Sequence, residues 1–151
     1  MKLTPIALLL LLCAAWGMNG GVQGGLADPG NLGFYAGGHL DPVNIVPNLL
    51  LHLPAEFMMV DNFTDFSAGA QARYCFTGKV GWFAGGGLRV HISQHEIHNR
   101  YNDFNNDSHT GLGMDLTGGY YFDAKGFRIS PELTIMAFEV SSINIGCAFT
   151  F

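Results

Sequence analysis

The sequence predicts an all-β protein, an antiparallel up-and-down transmembrane β-barrel of eight strands. Three observations carry this reading. Hydrophobic residues make up 48% of the 151 residues, yet beyond the N-terminus they alternate with small or polar residues instead of gathering in runs. That is the period of a strand with two unlike faces. The mature chain keeps only Lys79 and Lys125 as lysines, both in short turn-like stretches, where a water-facing sheet would carry several. Aromatic residues gather at matching strand ends, and the chain stops on Phe151 within the alternating segment INIGCAFTF.

Residues 1–17, MKLTPIALLLLLCAAWG, have the composition of a secretory signal peptide. Lys2 supplies the cationic start, Ile6 to Leu12 the apolar run, and Ala15 and Gly17 the small residues before a cleavage after Gly17. The run is too short for a spanning helix. Cys13 leaves a lipoprotein alternative, against which Leu12 stands where such signals carry a small residue. Loss of Lys2 takes the net charge from −5 to −6, 6 basic against 12 acidic side chains, which argues against nucleic acid as a partner. Residues 18–31, MNGGVQGGLADPGN, read as a Gly-rich leader. The barrel domain is placed at 32–151, with strand-like segments at 32–40, 48–60, 66–76, 81–92, 111–122, 127–139 and 143–151.

One face of these segments is apolar: Phe34 and Leu40; Leu49, Leu51, Phe57 and Met59; Phe66 and Ala70; Trp82, Leu88 and Val90; Leu112, Met114 and Leu116; Ile129, Leu133 and Ile135. The other carries His39, His52, Glu56, Gln71, Arg73, Arg89, His91, Asp115, Arg128 and Glu132 among many glycines. Alternation alone does not say which face is inside, and a soluble barrel would bury the apolar one. The scarcity of lysine, and the balance of Arg73, Arg89 and Arg128 against Glu56, Asp115 and Glu132, fit a closed lumen in which ions must pair. The apolar face then meets lipid.

Tyr74, Phe76 and Trp82 flank the tight turn GKVG near 78–81, and Tyr120, Phe122 and Phe127 flank DAKG at 123–126. With Phe149 and Phe151 they form one interfacial girdle if both turns and the C-terminus share a membrane surface. The polar stretch 93–110 is then a long loop at the opposite surface. Seven segments would leave the N-terminus on the wrong side, because single-chain bacterial barrels have even strand numbers, eight being the smallest. The eighth is assigned to 32–62, where Pro54 and DPVNIVP break one long segment into three strands.

Together the signal peptide, the alternating strands, the short-turn and long-loop asymmetry and terminal Phe151 resemble a small bacterial outer-membrane β-barrel protein. The stretches ARYCFTGKVGWFAGGGLRVHIS and GLGMDLTGGYYFDAKGFRISPELTIMAF look like the strand–turn–strand units of that superfamily. The resemblance implies a monomer in the cell outer membrane, with the lipid bilayer as its surroundings. It also implies that Phe149 and Phe151 are the assembly signal read by the barrel assembly machinery. No enzyme motif comes with it.

The candidate site is the lumen network Glu56, Arg73, Arg89, Asp115, Arg128 and Glu132, read as an internal salt-bridge lattice filling a narrow barrel. A narrow channel for small solutes is the second reading. A lipid-modifying enzyme using Ser93, His91, His95 and Glu96 at the outer rim is the third, and no spacing singles these residues out. His91, His95, His98 and His109, with Glu96, Asp103 and Asp107, are of metal-binding type. HISQHEIH shares a face only on a helix, and in DFNND Ser108 stands where a calcium loop needs Gly. No metal, cofactor or catalytic residue is assigned. Cys75 falls on the lumen parity and Cys147 on the lipid parity, which separates them for a disulfide.

Overall fold

The computed structural model describes residues 19–61, 63–78, 80–98, 104–137 and 141–151, with backbone alone for 95–98 and 104–107. The signal-peptide reading of 1–17 lies outside these residues. Eight strands follow one another: β1 Asn19–Asp28, β2 Gly33–Val46, β3 Leu49–Val60, β4 Phe63–Cys75, β5 Gly81–His98, β6 Phe104–Asp123, β7 Arg128–Ala137 and β8 Ser142–Thr150. Each pairs antiparallel with the next, and β1 pairs with β8 to close the barrel. Closure leaves no open sheet edge along the seam, the condition for strands to cross a bilayer.

The strand count of eight stands, but the eighth strand lies elsewhere than expected. The Gly-rich 18–31 stretch is not a leader: its Asn19–Asp28 portion is β1. Residues 32–62 hold two strands, not three. Pro54 does not break β3; it is fully buried within it. The β3–β4 ladder runs His52↔Gln71 and resumes at Ala55↔Ala68 in the same register, so the missing N–H of Pro54 costs a rung without shifting the strand. The 93–110 stretch is not one long loop either. β5 and β6 pair out to His98↔Phe104.

Short turns join β2–β3, β4–β5 and β6–β7 at the end that carries Asn19 and the C-terminus, called the termini end below. In the β6–β7 turn Lys125 and Gly126 both take positive φ, 48° and 118°, and the Ala124 N–H donates to the Phe127 carbonyl at 2.9 Å. Two consecutive left-handed residues match the twist of a two-residue hairpin, and Gly126 adopts that shape without a Cβ clash.

The wall is inside-out relative to a soluble barrel. Leu112 and Leu116 are each 67% exposed on the outside, as are Leu88, Val90, Ile135 and Ile145 to a lesser degree. Arg73, Arg89, Asp115, His52 and Gln71 are buried within. A narrow lumen accepts such long side chains because glycines face them across the ladder. Arg89 stands opposite Gly69, Arg73 opposite Gly85, Gln71 opposite Gly87, Glu56 opposite Gly37 and Glu132 opposite both Gly119 and Gly146. A Cβ on Gly69 would lie 2.6 Å from the Arg89 Cγ, and one on Gly85 2.9 Å from the Arg73 Cγ. Small apolar clusters sit at the two ends of the lumen. Cys75, Phe83 and Tyr121 lie toward the termini, and Ala27, Tyr35, Met58 and Val60 lie opposite.

Candidate functional site: the barrel lumen

Alternation turns every second residue of each strand inward, so residues far apart in sequence meet on the barrel axis. Arg89 of β5 is the centre. Its Nε donates to Asp115 of β6 and its Nη1 to Glu56 of β3, and the Gln23 amide of β1 donates to the other Glu56 oxygen. Asp115 also accepts from Gln71 Nε2 at 2.7 Å. Arg73 donates through Nε to Gln71 Oε1 at 2.9 Å and through Nη1 to Glu132 of β7 at 3.0 Å. Thr117 and Thr134 share a hydrogen bond of 2.9 Å beside this chain. The result is one bonded bridge from β1 to β7 across the lumen.

Arg128 does not join it. It is half-open at the termini end, with its Nη2 3.5 Å from Asp41 and its guanidinium 4.6 Å from the Tyr121 ring centroid. Tyr121 stacks on Phe83 at 4.2 Å, and Arg73 covers the Phe83 ring at 5.1 Å. These two rings and two guanidinium groups fill the lumen below the ion pairs. Near Arg128 lies a second polar group. His52 donates from Nδ1 to Asp41 at 2.7 Å, and His39 contacts the Thr150 hydroxyl at 2.9 Å. At the opposite end His91 Nδ1 meets Asp65 at 2.8 Å.

Asp41, Asp65, Gln23, Phe83 and Tyr121 were not among the sequence-derived site residues. Asp41 shares the parity of His39 and Asp65 that of Gln71, a signal present in the alternation. For Asp41 it was masked by Pro42 and by register shifts between Leu40 and Val43 and between Asn44 and Val46. Of the rim residues considered for catalysis, Ser93 is an inward strand residue whose Oγ donates to the His109 carbonyl at 3.4 Å. His95, Glu96, His98 and Asp107 lie where only the backbone is described, and Asp103 lies outside the described residues. Cys75 and Cys147 are free thiols, the first buried and the second partly so.

The structure places Tyr74, Phe76, Trp82, Phe122, Phe127, Phe149 and Phe151 exposed on the outer surface at the termini end, with Tyr120 partly covered. Trp82 meets Tyr120 edge-on at 5.3 Å, and Tyr74 meets Phe76 at 5.4 Å.

An eight-stranded closed antiparallel barrel, polar within and apolar without, has the fold of the small outer-membrane β-barrels. Comparison with solved structures gives the same class. The chain is similar to the crystal structure of Neisserial surface protein A, NspA, with a TM-score of 0.68 and 12% identity, over 88% of this chain and 94% of that one. It is similar to the N-terminal β-barrel domain of Pseudomonas aeruginosa OprF, with a TM-score of 0.61 and 12% identity over 88% and 97%. It is also similar to Ail, the attachment invasion locus protein of Yersinia pestis, in complex with the heparin analogue sucrose octasulfate, with a TM-score of 0.52 and 11% identity over 89% and 99%. No protein-family profile and no curated protein sequence matches the chain.

Proposed function

We propose that this chain is a monomeric, non-enzymatic integral protein of the cell outer membrane, exported by residues 1–17. Its lumen is closed, and it acts through envelope structure or through contacts of its outer surface. One observation carries the reading: the lumen is crossed by a bonded bridge while the outer wall is apolar. The outward Leu, Val, Ile and Phe side chains gain about 25 cal/mol per Å² when lipid replaces water. The aromatic girdle, Trp82 and Tyr120 foremost, rests at the periplasmic interface. Phe149 and Phe151 serve as the assembly signal. Glu56, Arg73, Arg89, Asp115 and Glu132 act as a lattice that locks the barrel, with Arg128 as an outlying cation.

Contacts with surfaces or partners fall to the β5–β6 hairpin. It pairs out to His98↔Phe104, whereas β4 reaches β5 only to His95 and the last described β6–β7 pair is Met114↔Ala137. The described part of β6 nearest its far end, Asn105, Asn106, Asp107, Ser108 and His109, is polar in sequence. The turns after β1 and β3 are short by comparison.

The placement is tested by separating cell membranes. The protein should fractionate with the outer membrane and migrate faster on a gel before boiling than after. Recovery in the periplasm without detergent would favour the soluble barrel instead. The lumen is tested separately in planar bilayers, where refolded protein should give no steady conductance. Stable openings would replace the closed barrel by the channel reading.

A further inference from the structure

Beyond the closed-barrel reading, we infer that His39, Asp41 and His52 form a binding site for one divalent transition-metal cation of the zinc type. All three side chains are buried: His39 is 3% exposed, Asp41 4% and His52 1%. They come from adjacent strands, and one ligand atom from each lies within 4.8 Å of the others. The two imidazole rings are tilted by 36° with centroids 4.8 Å apart. Zinc holds nitrogen and oxygen ligands at about 2.0–2.2 Å, which sets tetrahedral neighbours about 3.4 Å apart, so the widest pair of donors draws in by about 1.4 Å to share one ion.

The hydrogen bonding points the same way. His52 Nδ1 and an Asp41 carboxylate oxygen stand side by side, 2.7 Å apart, so a cation that displaces the proton between them meets two donors at once. His39 uses Nε2 on Thr150, and its buried Nδ1 has no hydrogen-bond partner. A buried, unmatched polar atom is costly, and a cation at His39 Nδ1 satisfies it.

A cavity of about 750 Å³ at the termini end, walled by Asp41, Thr150, Arg128, Asn19 and Asn44, reaches the site at Asp41. Two nitrogens and one carboxylate leave a fourth position for water. Sequence spacing hides the group, since its members meet only across the β2–β3 ladder.

The test uses the untagged, refolded barrel titrated with Co²⁺, read by its visible absorption, and then with Zn²⁺ in competition. One ion per barrel is expected. His39→Gln and His52→Gln should each weaken binding by more than the roughly 10–100-fold that loss of an outer-shell partner costs, and both variants should keep the heat-shifted gel mobility. Arg128→Gln should tighten binding, because Arg128 competes for Asp41. His95→Gln with His98→Gln should leave it unchanged. No binding by the parent protein, or binding lost in the His95/His98 variant instead, overturns the inference. Should the lumen variants fail to fold, the parent's unfolding midpoint decides: a rise with Zn²⁺ that EDTA reverses supports the site, and no rise rejects it.

Discussion

Replacing Arg89 by methionine should destabilise the barrel by about 3–5 kcal/mol. Methionine keeps much of the volume, so the loss is electrostatic rather than a cavity. Arg89 is the one cation bonded to both Glu56 and Asp115, and all three are buried. Its removal leaves two carboxylates in the lumen, with only the Gln23 and Gln71 amides as donors. The readout is the urea concentration at which gel mobility changes from folded to unfolded. A second change, Glu56→Gln, should restore part of the loss by removing one stranded charge. An unchanged midpoint in Arg89→Met would show that the pairs are not what holds the wall together. Arg128 makes the contrast, since its 3.5 Å contact to Asp41 is partly open to water and such pairs contribute little.

Deleting Phe151, or replacing it with Asp, should remove most of the folded protein from the outer membrane. The Phe151 N–H donates to the Gly20 carbonyl at 2.8 Å, one step beyond the last β1–β8 pair, and its ring is 62% exposed on the outer wall. The same variant refolded into detergent micelles without cellular machinery should still form the barrel, because a single rung at the rim is lost. Normal amounts in the outer membrane would sink the assembly-signal reading. Failure in micelles as well would make Phe151 a stability residue rather than a signal. A change at Leu32, in the turn after β1, serves as the neutral comparison.

The sequence made the architecture legible wherever side chains alternate. The period of two in β4, β5, β6 and β8 stands out because each has both a lipid row and a lumen row. β1 was not legible for a plain reason: Gly20, Gly21, Gly24 and Gly25 have no side chain to alternate, leaving Val22, Gln23 and Leu26 as a faint pattern. The β5–β6 extension was missed because its polar residues read as loop, although strand pairing outside a membrane needs no apolar face. Parity gave the lumen charges one side of the wall. It could not say that Arg89 meets Glu56 two strands away, or that Arg128 stands apart, since those contacts depend on register and shear around the closed barrel.

Along the β1–β8 junction Gly24 lies opposite Cys147 and Gly25 opposite Gly146. At these two rungs no pair of side chains faces across the junction on either surface, so the backbone ladder holds it there. The same junction joins the first strand to the last, so it can form only when both ends of the sheet are in place.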